Sequence, residues 1–85
     1  MSNKKKPAPA KKETLGVYLR RLRKERGWSQ AEVGVRLATV LHTDTVADAT
    51  ICRYEAGNRM PHFRTLRGLE TLFELTDFEL IRYLG

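Results

Sequence analysis

Few side chains in this 85-residue chain are suited to making or breaking bonds. Cys52, His42 and His62 are its thiol and imidazole ligands, but their spacing fits no zinc pattern and they are one donor short, so no metal is expected. A single cysteine cannot form an internal disulfide. Neither a carboxylate pair nor a nucleophile with its base is apparent, and no Gly-rich phosphate loop is seen, so no enzyme and no cofactor are expected. What remains is hydrogen bonding. The stretch Val46 to Gly57, VADATICRYEAG, sets Ile51 and Tyr54 three apart on one helical face and leaves Asp48, Ala49, Thr50 and Arg53 for the outside. Such an outer face presents groups to a partner.

The elements that hold this stretch follow from its length. Thr45, with Asp48 three residues on, is expected to cap the helix, and Gly57 supplies its left-handed stop. With two large apolar groups to bury, so brief a helix cannot stand alone and must lie across neighbours. Thr14 to Arg26 is the first of these, with Leu15, Tyr18, Leu19 and Leu22 as one apolar stripe and Gly27 at its end. Trp28 is placed to pack back on the next helix, which Ser29-Gln30-Ala31-Glu32 opens as a capping box. Val33, Leu37 and Leu41 carry the second helix to about His42, and Ala31, Gly34 and Ala38 admit a close neighbour. His42 to Thr45 is a polar, irregular loop.

Beyond Gly57, Asn58-Arg59-Met60-Pro61 is a turn, and a fourth helix is expected from about Phe63 to Phe73 with Leu66, Leu69, Leu72 and Phe73 inward. Thr76 with Glu79 resembles a second capping box, opening a fifth helix with Phe78, Ile81 and Leu84 apolar. The chain past its first residues is thus expected to be all-α, as one small domain over 13–85 with no room for a large substrate cavity.

Residues 1–12 hold Lys4, Lys5, Lys6, Lys11 and Lys12 without an acid, so +5 of the net +6 lies there and 13–85 carry +1. Lys, Pro and Ala without apolar periodicity are expected to leave this tail disordered. It is either a solubilising terminus or a basic arm for nucleic-acid phosphates. No signal-peptide core or long apolar run is seen, so a soluble cytoplasmic protein with no membrane partner is expected.

Arg23 four before Gly27, the Ser29-Gln30-x-Glu32 cap, Ile51, Tyr54-Glu55-x-Gly57, Arg59, Pro61, and Leu66 with Leu69 together resemble the Xre/Cro family of phage-repressor-like helix-turn-helix domains, over about residues 14–82. The resemblance implies a compact, lambda-repressor-like five-helix bundle whose third helix enters the major groove. It also implies an ion pair between Arg23 and Glu55. Buried, that pair would set the angle of the third helix; exposed, it would be worth little. The sequence departs from the family in one respect. Ser29 to Glu55 is about seven residues longer than in the family, around Thr39 to Thr45, through either a longer second helix or a real loop.

By the same resemblance, Gln30 and Arg59 hold phosphates, joined by Lys4, Lys5 and Lys6 of the tail, and base reading falls to Asp48, Ala49, Thr50 and Arg53. Arg53 can take guanine O6 and N7 together. Asp48 either accepts from a cytosine amine or caps its helix. Specificity would come from a homodimer on two half-sites, with Phe78, Ile81, Tyr83 and Leu84 as its surface. The expected function is a sequence-specific double-stranded-DNA regulator, most simply a nucleoid-associated repressor. The alternatives are an antitoxin that represses its own operon while binding a toxin, and a protein-interaction module on the same fold.

Overall fold

The computed structural model describes residues 13–84, and within them every regular element is helical: α1 (Leu15–Glu25), α2 (Gln30–Leu41), α3 (Asp48–Ala56) and α4 (Phe63–Leu72), with a 3-10 turn over Ile81–Leu84. The expected tail, with Lys4, Lys5 and Lys6, lies outside these residues. Thr14 caps α1 by accepting the Val17 N–H at 3.2 Å. At the other end Gly27, at φ +72°, lets its own N–H and that of Trp28 return to the carbonyls of Lys24 and Arg23. Leu15, Tyr18, Leu19 and Leu22 are all buried, so the periodic stripe is the core face of α1.

Ser29 caps α2 through a 3.0 Å bond from the Glu32 N–H. Only half of the expected box forms, because the Glu32 carboxylate turns to Arg36, one turn on, at 2.7 Å. Trp28 stacks on Phe73 with ring centroids 5.8 Å apart, and the Arg36 guanidinium lies 4.3 Å over its ring. α2 ends where His42 turns left-handed at φ 57°, and residues 42–47 run as a loop to α3. The long connection therefore includes a real loop.

α3 packs against both α1 and α2, and α2 also packs on α4. Ile51 and Tyr54 are its buried residues. They join Leu19, Leu22, Val33, Leu37, Leu66 and Leu69, with Phe73 and Leu80, in a single core cluster. The cap of α3 differs from expectation. Neither Thr45 nor Asp48 is the N-cap: that position is Ala47, with no side-chain hydrogen bond, and Asp48 is the first helical residue. Val46 packs against the core, and its carbonyl sits so close to Gly34 that a Cβ there would lie 2.2 Å from it. This contact ties down the chain two residues before the helix, so helical geometry starts after it rather than at Thr45.

The five-helix count is also corrected to four helices and the 3-10 turn. A helix capped at Thr76 would send the Leu80 and Ile81 N–H groups to the carbonyls of Thr76 and Asp77. The buried carboxylate of Glu70 captures them instead, at 2.8 and 3.2 Å, together with the Phe78 N–H at 3.0 Å. Phe78 adopts φ 65°, outside the helical region. Glu79 does accept from the Thr76 N–H and hydroxyl, but its other oxygen accepts from the Tyr18 hydroxyl. The result is a strap from Phe73 to Leu84 laid over α4 and α1. Leu80 is its fully buried plug.

Candidate nucleic-acid interface

Burying Ile51 and Tyr54 leaves the opposite side of α3 free of core contacts. Asp48, Ala49, Cys52 and Arg53 are exposed there and Thr50 is half-buried. Asp48 lies in the first turn, where its charge complements the positive helix end, and Arg53 lies in the last, where a cation is favourable.

Two glycines set the height of α3. A Cβ on Gly16 of α1 would meet the carbonyl oxygens of Glu55 and Tyr54 at 2.3 and 2.6 Å, while Gly34 of α2 receives Val46 just ahead of α3. α3 is thus seated at both ends on notches that only glycine supplies. The small size of Gly34 predicts a close helix neighbour, but what approaches it is the loop ahead of α3. Ala31 faces solvent and Ala38 is buried. The sequence signal for the Gly16 contact is a glycine inside an apolar helix, which costs helix propensity and so marks a close backbone approach.

Around the C-terminal half of α3 the structure brings Arg23, Glu55 and Gln30 together. Arg23 donates from Nε to Glu55 Oε2 at 2.7 Å and from Nη2 to Oε1 at 3.1 Å, and Gln30 Nε2 donates to the same Oε1 at 3.2 Å. The third guanidinium nitrogen of Arg23 donates to the Trp28 carbonyl at 2.9 Å, which ties the α1–α2 turn into the network. Side-chain exposure is 12% for Arg23 and 6% for Glu55, so the pair is largely shielded from water. Its planar two-bond geometry fixes orientation as well as distance. Gln30 is half-buried and holds Glu55 from the first turn of α2.

Arg59 is exposed in the loop after Gly57 and shares a shallow groove with Thr14, Gly16, Tyr54 and Met60. Arg64, not singled out in the sequence, donates to the Leu41 carbonyl at 2.5 Å and closes the C-terminal end of α2. The dimer candidates lie on the strap. Phe78 is exposed, with the Arg67 guanidinium 4.2 Å over its ring, and Leu84 is exposed, whereas Ile81 and Tyr83 are half-buried against the core. Glu70, also missed, has an inward helical position as its only sequence signal, and carboxylates rarely occupy one.

Beneath the strap, burial and the bond to Glu79 push the Tyr18 hydroxyl well above its ordinary range. Burial would raise the Glu79 carboxyl, but the hydrogen bonds from Tyr18 and Thr76 outweigh it and hold the group below its ordinary value. Burial likewise raises Tyr83, whose hydroxyl has no hydrogen-bond partner among the described residues. No group of three or more His, Cys, Asp or Glu side chains able to hold a metal occurs among the described residues, and no helix among them is long and apolar enough to cross a membrane.

A short helix with a free polar face, packed across two others and preceded by the second of them, defines a helix-turn-helix unit, a class whose second helix lies in the major groove of DNA. The family model of the helix-turn-helix domain matches residues 14–81, and the chain belongs to that family. No curated protein and no solved structure matches the chain.

Proposed function

We propose that this protein is a sequence-specific regulator of the Xre/Cro kind that binds double-stranded DNA as a homodimer and represses by occluding a promoter. The observation that carries this reading is the free polar face of α3, held at a set height by Gly16 and Gly34 and at a set angle by the Arg23–Glu55 pair. A reading helix needs that rigidity, because base recognition depends on placing donors to within a fraction of an ångström. Arg53 is the principal base reader, with Asp48, Ala49 and Thr50 lining the same face. Arg59, Gln30 and the tail lysines Lys4, Lys5 and Lys6 hold phosphates. Gln30 Nε2 gives one N–H to Glu55 and keeps its second for a phosphate, so the ion pair also positions a backbone contact. Phe78 and Leu84, exposed beside Ile81 and Tyr83, supply the dimer surface.

Selection of bound duplexes from a random pool at physiological salt tests this reading, with enrichment of an inverted repeat as the expected result. Arg53→Ala should then cost about 1–3 kcal/mol on the selected site and relax one base position, whereas Arg59→Ala weakens all sequences alike. Equal losses on selected and random duplex for both variants would refute the roles. Asp48 at the leading turn of α3 supports a second reading, a protein-interaction module or antitoxin on the same fold, since its charge is repelled by phosphates. Recovery of one stoichiometric protein, free of nucleic acid, together with no enriched duplex would favour it.

A further inference from the structure

The loop of residues 42–47 is a built element and not slack chain. Leu41 seats the end of α2 on α4, so close to Gly68 that a Cβ there would be 2.6 Å from Leu41 Cδ2, and Arg64 of α4 closes the same turn through the Leu41 carbonyl. His42 takes the left-handed position that reverses the chain, and the Thr43 N–H returns to the Ala38 carbonyl at 3.0 Å. Val46 is half-buried in the core cluster, with its carbonyl in the Gly34 notch. The loop is therefore tied at both ends, and between the ties Thr43, Asp44 and Thr45 are exposed. They stand immediately ahead of α3, at its N-terminal end. In helix-turn-helix docking that end of the reading helix contacts base edges, so a fixed polar segment before it is carried to the same groove.

We propose that this loop is a second DNA-contacting element, which extends recognition past the N-terminal end of α3. Thr45, three residues before α3, reads the base pair next to those that α3 reads, through its hydroxyl or its methyl on a thymine methyl, and Thr43 donates its hydroxyl to the bordering phosphate. Asp44, between them, lies within a Debye length of the phosphates and opposes loose binding. The inference rests on the major-groove reading of α3 and deepens it.

The test uses the full chain in a random-duplex selection and in titrations at 50 and 300 mM salt. Thr45→Ala should lose the preference at one position flanking the α3 bases and weaken the selected site by about three- to tenfold, the range of one hydrogen bond, with an unchanged melting transition. Asp44→Asn should tighten binding to every duplex by about two- to fivefold at 50 mM salt and less at 300 mM. A Thr45→Ala motif identical to that of the parent, or a uniform loss without a change of motif, would overturn the reading assigned to Thr45. An Asp44→Asn variant indistinguishable from the parent at both salts would overturn the placement of the loop on DNA. If the parent chain itself enriches no motif, the α3 reading fails and the loop proposal with it, an outcome distinct from loop variants that match a specific parent.

Discussion

Replacing Gly34 by Ala tests whether the loop contact sets the position of α3. The added Cβ would lie 2.2 Å from the Val46 carbonyl oxygen and 3.3 Å from its carbon. Ordinary carbon–oxygen contacts are roughly 3.3–3.6 Å, so the chain ahead of α3 must retreat by about 1 Å. The obstacle is backbone, and no rotamer relieves it. Two opposing effects decide the sign. Ala in a helix interior gains roughly 0.5–1 kcal/mol over Gly, while forced displacement of packed structure costs typically 1–3 kcal/mol. The clash is severe and Val46 is anchored in the core, so the cost wins and a net loss of about 1–2 kcal/mol follows. In a domain of this size that lowers the melting temperature by about 5–15 °C. Thermal and urea unfolding followed by circular dichroism and Trp28 fluorescence measures it. Val35→Ala, at an exposed site on the same helix, serves as the control and should stay within about 0.5 kcal/mol. Because the retreat moves the start of α3, DNA affinity in the folded variant should also fall. A Gly34→Ala protein as stable as the parent would refute the claim that α3 is seated on this notch.

Glu55→Gln removes the charge that balances Arg23 in a shielded site and should destabilise the fold by about 3 kcal/mol, measured by urea unfolding; an unchanged midpoint and unchanged DNA affinity would remove its positioning role. Glu70→Ala leaves the N–H groups of Phe78, Leu80 and Ile81 without their acceptor, so hydrogen exchange at these three amides should accelerate well before α1 and α2 lose protection. Uniform acceleration through the whole domain would mean that the strap is no separate unit. The lowered Glu79 carboxyl contributes stability that is fully present above its ordinary value of 4.5 and is lost as pH falls through its folded value. Glu79→Gln should therefore flatten the acid limb of the stability profile below about pH 4.5, and an identical limb in the variant would assign acid sensitivity elsewhere.

The sequence carried the helices, their apolar faces and most of their ends, because each depends on spacing along one chain. The stripe Leu15, Tyr18, Leu19, Leu22 and the pair Ile51, Tyr54 are buried as their 3.6-residue period requires. The stops at Gly27 and Gly57 and the cap at Ser29 need only local geometry. The exposure of Asp48, Ala49 and Arg53 was legible for the same reason, since Ile51 and Tyr54 set the inward side, whereas Thr50 is half-buried and Glu55 turns in to Arg23. Arg23 and Glu55 were paired only through the resemblance; no local rule joins residues 32 apart.

Where the signal was ambiguous, partners distant in sequence decided the outcome. Thr76 with Glu79 has the pattern of a helix start, yet a carboxylate from α4 competes for the amides that such a helix would use, and Phe78 turns left-handed. Thr45 has the chemistry of a cap, yet Val46 is drawn to Gly34 and the helix begins later. The same holds for Gly16, Arg64 and Glu70, whose roles exist only against residues on other elements. Periodicity and capping are properties of a single segment and can be read along it. The seat of α3, the course of the strap and the anchoring of the long loop arise where backbone polar groups from separate segments meet, and only the tertiary structure brings them together.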